Sequence, residues 1–195
     1  MVISEPFLRF PDLSHYEPDV QFHAMKAAGI PLFITKATEG IGFTDPTYTD
    51  FQKRGRSVGL IVGAFTLITP DDITRQVSLF LSVAELQSGD LQPVIDMENA
   101  GLTRYECASA LSEFRAHGYN PIVYCSLDFF NTVLRRGVDA PLWVAAYRSL
   151  RPKLPIGQRF FAWQYTDAGD CPGVAKPCDM SRFYGSIHDL KAYTI

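Results

Sequence analysis

The sequence contains no apolar run approaching the roughly 18 to 20 residues that a membrane-spanning helix needs. Its opening, MVISEPFLRFPDLSH, has neither a basic stretch nor an apolar one. No membrane partner and no conventional export signal are therefore expected. Positive charge is not in excess either: 18 Lys and Arg stand against 21 Asp and Glu, for a net charge of -3. That balance argues against a nucleic-acid partner, because proteins held to phosphate backbones carry a basic face. Linkers, low-complexity tracts and internal repeats of about 20 to 50 residues are also lacking. A chain of 195 residues, 47% of them hydrophobic, is long enough for one substantial core and rather short for two. Residues 1–195 are expected to form a single domain, and nothing demands more than a monomer.

None of the four histidines lies at zinc-ligand spacing from any of the four cysteines, so no metal and no cofactor is expected. Cys107 falls in a helix-like stretch and Cys125 at a strand end, where both read as small core residues. Cys171 and Cys178 flank Pro-Gly-Val-Ala-Lys-Pro, whose turn formers would bring the two sulfurs together. A disulfide there is the favoured expectation; the alternative is a pair of unlinked thiols.

Strand-like and helix-like stretches alternate for most of the length, which points to parallel βα units rather than a sandwich. Strands are expected at 8–13, 31–37, 60–67, at the run ending in Asp96 and Glu98, and at 122–125, 142–147 and 160–165. Helices are expected at 19–28, 46–58, from Asp71 and Asp72 to about 87, at 103–117 and at 127–134. Five βα repeats are thus followed by strands with little helix between them. In parallel α/β barrels chemistry sits at the C-terminal ends of the strands, and Asp12, Glu39, Asp96 and Glu98 all fall at such ends.

The run Leu91-Gln-Pro-Val-Ile-Asp-Met-Glu98 is the most informative of these. Strand side chains alternate faces and rise about 3.3 Å per residue, so Asp96 and Glu98 are expected on one face, about 6.6 Å apart along it. Paired carboxyls at such range cut glycosidic bonds, one protonating the leaving oxygen while the other attacks or stabilises the sugar cation. The only other acid-x-acid pair, Glu17-Pro-Asp19, precedes no apolar strand and reads as a turn or a helix start.

These residues belong to a larger ordered set: Asp12-Leu-Ser-His-Tyr16, Ala27-Ala-Gly-Ile30, Lys36-Ala-Thr-Glu-Gly40 with Thr44-Asp-Pro46, Gly59-Leu-Ile-Val-Gly-Ala64, Pro93-Val-Ile-Asp-Met-Glu98, Trp143-Val-Ala-Ala-Tyr147, Trp163-Gln-Tyr-Thr-Asp-Ala-Gly169 and Asp179-Met-Ser-Arg-Phe183. In this order they resemble the glycoside hydrolase family 25 lysozymes, muramidases of the Chalaropsis and phage-lysin type, from about residue 10 to 185. The resemblance implies a flattened, TIM-like (β/α)5β3 barrel of the α/β class that cleaves the β-1,4 bond between N-acetylmuramic acid and N-acetylglucosamine in bacterial peptidoglycan. It implies action on the cell wall, by secretion or phage delivery, with antibacterial lysis as the outcome. By the same likeness Glu98 is the general acid, and Asp96 orients the 2-acetamido group or stabilises the cation. Asp12 and Asp179 shape the site, with Glu39 nearby. Spacing leaves the stereochemistry open; the likeness favours retention.

Sugars stack their apolar faces on aromatic rings, so Tyr124, Tyr147, Trp163 and Tyr165 are candidates for the saccharide groove, the last two sharing one face of a strand. The chain also departs from the family. Phe65-Thr66-Leu67 stands where Tyr-His-Phe is usual, so a hydroxyl and an imidazole that line the groove are missing. That departure motivates an alternative of another class, a catalytically impaired glycan-binding domain. A further alternative takes the four acids as oxygen ligands for a hard cation. His15 reads as a structural ring hydrogen-bonded near the first strand rather than a catalytic base.

Overall fold

Nine strands and six helices follow one another along residues 6–195, the part of the chain that this computed structural model describes. The first five residues, which the expectations about the opening stretch and the 1–195 domain include, lie outside the described residues. Strands β1 (Phe7–Leu13), β2 (Leu32–Glu39), β4 (Ile61–Leu67), β5 (Val94–Asp96) and β6 (Ile122–Ser126) are each followed by a helix, α1 (Phe22–Ala27), α2 (Tyr48–Ser57), α3 (Ile73–Ala84), α4 (Arg104–Ala116) and α5 (Leu127–Thr132). β7 (Leu142–Ala145), β8 (Phe160–Gly169) and β9 (Cys178–Tyr184) complete the ring, and β3 (Phe43–Thr44) is a short flap on β2. The sheet runs β1-β9-β8-β7-β6-β5-β4-β2, and β1 pairs again with β2, which closes an eight-strand mixed barrel of (β/α)5β3 order.

Local chemistry accounts for the element ends. Asp72 caps α3 by accepting the Arg75 N–H at 3.1 Å. Thr103 and Glu106 form a reciprocal capping box on α4. Gly29, at φ 80°, lets the chain leave α1 in a left-handed conformation that other residues avoid. Gly55 is required for a different reason, since a Cβ there would lie 2.2 Å from the Phe33 ring; only glycine lets α2 sit this close to β2.

Two apolar layers flank the sheet, and a third fills the barrel. Phe80 and Phe114 meet edge to face at 5.4 Å where α3 and α4 cover the sheet. Phe22 packs against Phe33 and Phe51 under α1 and α2. Inside, Phe10, Ile34, Val94 and Ile122 surround Trp143, whose indole N–H bonds the Ser181 hydroxyl at 2.9 Å. The helix α6 (Ile187–Lys191) and the chain after it close the lower end, where Leu190 and Tyr193 pack on that interior.

Alternation then dictates what lies at the upper end. Two residues beyond Phe10, Ile34, Val94 and Ile122 come Asp12, Lys36, Asp96 and Tyr124, on the same inward faces. The barrel is apolar at depth and polar at its mouth. β9 runs antiparallel to both neighbours, so its first residues, not its last, reach this mouth, and Asp179 arrives there directly opposite Asp12.

Candidate active site

Asp12 is an inward residue of β1, and burial raises its carboxyl well above the usual range, with the neighbouring charge of Asp179 adding to the effect. Its Oδ2 accepts a hydrogen bond from Gln164 Nε2 at 2.9 Å, which works against the shift. Its Oδ1 is buried without a partner. Asp179 is pushed up to about 6, by burial first and then by the charges of Glu17 and Asp167. The two carboxyls face each other across the β1–β9 pair, and the nearby charge of Asp179 makes Asp12 hold its proton more tightly.

Asp96 and Glu98 form the second pair. The strand stops at Asp96, so Glu98 is not on the same strand face by alternation, as the spacing implies, but beyond the strand end. Its position is fixed instead by its own N–H, which donates to Asp96 Oδ1 at 3.1 Å. Asp96 is buried, and desolvation followed by the charge of Glu98 raises its carboxyl well above the usual range. Lys36 and the Glu98 N–H pull the other way. Glu98 is exposed at the mouth, yet its carboxyl is also raised by partial burial.

Lys36 and Glu39 reach the mouth from β2 and form an ion pair. They are three residues apart and would face opposite ways in a regular strand. The register slips between Lys36 and Thr38, however, and this bulge returns Glu39 to the inner face. Lys36 and Gln164 are the site residues that sequence reasoning missed, although both lie inside motifs it singled out. Gln164, which is buried, accepts from the Tyr124 hydroxyl at 2.8 Å and the Tyr147 hydroxyl at 3.0 Å through Oε1. With its oxygen so occupied, its amide N–H is directed at Asp12. Phe65 lines the niche between Asp12 and Asp96, and the Thr66 hydroxyl bonds Thr38 at 2.8 Å, away from the acids.

Three sequence expectations need correction. Trp163 and Tyr165 do share a strand face, but it is the outer one. Gln164 takes the inner face, while Trp163 is 2% exposed, donates to the Ala146 carbonyl at 2.7 Å and packs with Tyr165 against the Arg182 guanidinium. Neither ring reaches the mouth. Tyr124 is buried and acts through its hydroxyl, so it presents no stacking face; Tyr147, at 55% exposed, does. Cys171 and Cys178 are free thiols, not a disulfide. The turn brings them within hydrogen-bonding range, which lowers the Cys171 thiol and raises that of Cys178. His15 matches its structural reading, with Nδ1 2.7 Å from Asp45 Oδ2.

Four acids around a barrel mouth, each raised by burial and three of them also by another of the four, are the arrangement that sugar-bond hydrolysis uses. The sequence matches the pattern described as "Glycosyl hydrolases family 25" over residues 11–174. The chain belongs to that family. Among solved structures, a bacterial lysozyme from Streptomyces coelicolor superposes with a TM-score of 0.86 at 25% identity, covering 96% of each chain. An N,O-diacetylmuramidase from Arthroderma benhamiae is 26% identical over 93% of this chain and 84% of its own length. An autolytic lysozyme from Clostridium acetobutylicum is 29% identical over 90% of this chain. The family 25 chain spans only 56% of that autolysin, and 61% of the Escherichia coli protein YegX.

Proposed function

We propose that this family 25 chain is a muramidase, hydrolysing the β-1,4 bond between N-acetylmuramic acid and N-acetylglucosamine in bacterial peptidoglycan. The observation that carries this reading is the meeting of Asp12, Asp96, Glu98 and Asp179 at one barrel mouth, each with its proton affinity raised by burial. The names of the relatives support it.

Glu98 is the general acid. Asp96 is assigned the ionised role because, although burial and the Glu98 charge raise its carboxyl, the Lys36 ammonium and the Glu98 N–H favour its charged form. Partial burial raises the Glu98 carboxyl, and in this reading Glu98 carries the proton that it delivers to the bridging oxygen. Asp96, ionised, accepts the N–H of the 2-acetamido group. The acetamido carbonyl oxygen then attacks the anomeric carbon as the bond to the leaving sugar breaks, so no enzyme nucleophile is needed. Water opens the resulting ring, giving up its proton to Glu98, with net retention. Asp12 and Asp179 supply the negative field that stabilises positive charge on the sugar, Glu39 and Tyr147 offer polar contacts to its hydroxyls, and Tyr124 orients Gln164.

Residues 1–195 act as one catalytic domain on the outer side of the bacterial envelope, reached by secretion or phage delivery, and the chain works as a monomer. Among the described residues no helix is long and apolar enough to cross a membrane. Phe65 and Thr66 favour the second reading, glycan binding without turnover, since neither offers a polar group to the substrate. Mass spectrometry of digested peptidoglycan separates the readings. Fragments ending in reducing muramic acid are expected; reducing glucosamine, or no fragments, would overturn the proposal.

A further inference from the structure

We infer that Tyr16 and Phe43 form an additional sugar subsite on the β1–β2 side of the mouth, stacking on the apolar face of a pyranose unit of the same glycan strand; this rests on the peptidoglycan reading above. Both rings are open to solvent, Tyr16 at 71% and Phe43 at 37%. Phe43 is held up by the flap β3, where it pairs with Glu39, the β2 residue that reaches the mouth.

The imidazole of His15 is the wedge between the rings. Its centroid lies 4.2 Å from that of Tyr16 and 5.6 Å from that of Phe43. His15 is itself clamped, its backbone N–H and its Nδ1 lying 3.1 and 2.7 Å from Asp45 Oδ2. Asp45 is buried and is fixed in turn through Oδ1 by the Thr47 N–H and hydroxyl, at 2.9 and 2.6 Å. A buried carboxylate and four hydrogen bonds thus immobilise a surface ring. Core packing alone does not call for that arrangement, whereas a preformed platform does.

The platform is continuous with the acids. Lys36 Nζ lies 5.5 Å from the centre of the Phe43 ring, is paired with Glu39, and its charge acts on Asp96. A strand lying across the acids therefore meets Phe43 and Tyr16 on this side. There a pyranose finds two rings for its CH faces and the Glu39 carboxylate for its hydroxyls.

The test is calorimetric titration of peptide-free peptidoglycan glycan strands into Glu98→Gln protein, which separates binding from turnover. Phe43→Ala and Tyr16→Ala, introduced into that background, are expected to weaken binding by about three- to tenfold each, with unfolding midpoints within a few degrees of the parent. Phe43→Trp and Tyr16→Phe are expected to restore it. Equal affinity in all variants would overturn the subsite. Weakening seen only with strands that still carry stem peptides would overturn it as well, in favour of peptide recognition. Absence of turnover in the unsubstituted protein, with the affinity pattern intact, would count against the hydrolase reading and leave the subsite standing.

Discussion

Asp12 and Asp179 stand directly opposite each other across the antiparallel β1–β9 pair, so the strand pairing that helps close the barrel also brings two inward carboxyls together. Water that would screen them is largely excluded; burial raises both carboxyls, and the charge of Asp179 adds to the rise at Asp12.

A stability signature follows. Asp179 binds its proton more tightly folded, at about 6, than unfolded, near 3.8. Its favourable contribution is therefore complete below about pH 4 and is lost as pH rises through 6. Asp12 moves in the same direction. Replacing Asp179 by Asn removes the effect, so the melting temperature of Asp179→Asn relative to the parent protein should climb between pH 4 and pH 7. A difference that stays flat or falls across that range in thermal unfolding would contradict the pairing.

Gln164 should act on Asp12 through its amide orientation. Gln164→Met removes the donor to Asp12 and the acceptor for both tyrosines, and is expected to reduce kcat by about tenfold to a hundredfold, the scale of a small misplacement at a reacting centre. Tyr147→Phe leaves the Tyr124 hydroxyl holding the amide and should cost less. Steady-state turnover on purified cell walls gives the comparison; equal losses in the two variants would contradict this order.

Lys36 favours ionised Asp96, and Lys36→Met keeps the side-chain stem while removing the charge. The Asp96 carboxyl then rises further, because the first opposing influence on it is gone. The acid limb of the kcat profile should move to higher pH, with the largest loss at the acid end. A profile that is lowered uniformly, without a shift of that limb, would speak against this role.

Trp163→Phe tests which face of β8 looks inward. The substitution gives up the 2.7 Å bond to the Ala146 carbonyl in a buried setting, and about 1–3 kcal/mol of stability is expected to go with it. Denaturant unfolding should record that loss, while kcat stays within about threefold of the parent protein. A large loss of turnover without loss of stability would return Trp163 to the groove.

Much of this architecture is legible in the sequence. Leu32–Glu39 and Ile61–Leu67 are runs covered on both sides, apolar enough to read as barrel strands, and the helices α3 and α4 that follow carry caps at Asp72 and Thr103. Asp12 and Asp96 are visible because an acid at the end of an apolar strand is conspicuous. β9 is not visible. Its inward residues Asp179 and Ser181 are polar, one a site acid and the other the acceptor for the Trp143 indole, while Met180 faces the outer layer. The usual apolar-inward alternation is inverted over 179–181 and returns only at Phe183, which packs in the barrel interior. On β8, period-two logic establishes that Trp163 and Tyr165 share a face without revealing which face is inside. The same logic fails for Glu98 because the strand ends two residues before it. Gln164 carries no charge, so nothing marks it until its three partners are assembled.

Proton donation from Glu98 is the step on which the rest depends. The most direct test is the kcat of Glu98→Gln on purified peptidoglycan, with glycan binding measured alongside to show that the site is intact. A fall of about 10² to 10⁴-fold, the usual contribution of a positioned general acid, with binding retained, is expected. Turnover within a few-fold of the parent protein would contradict the assignment.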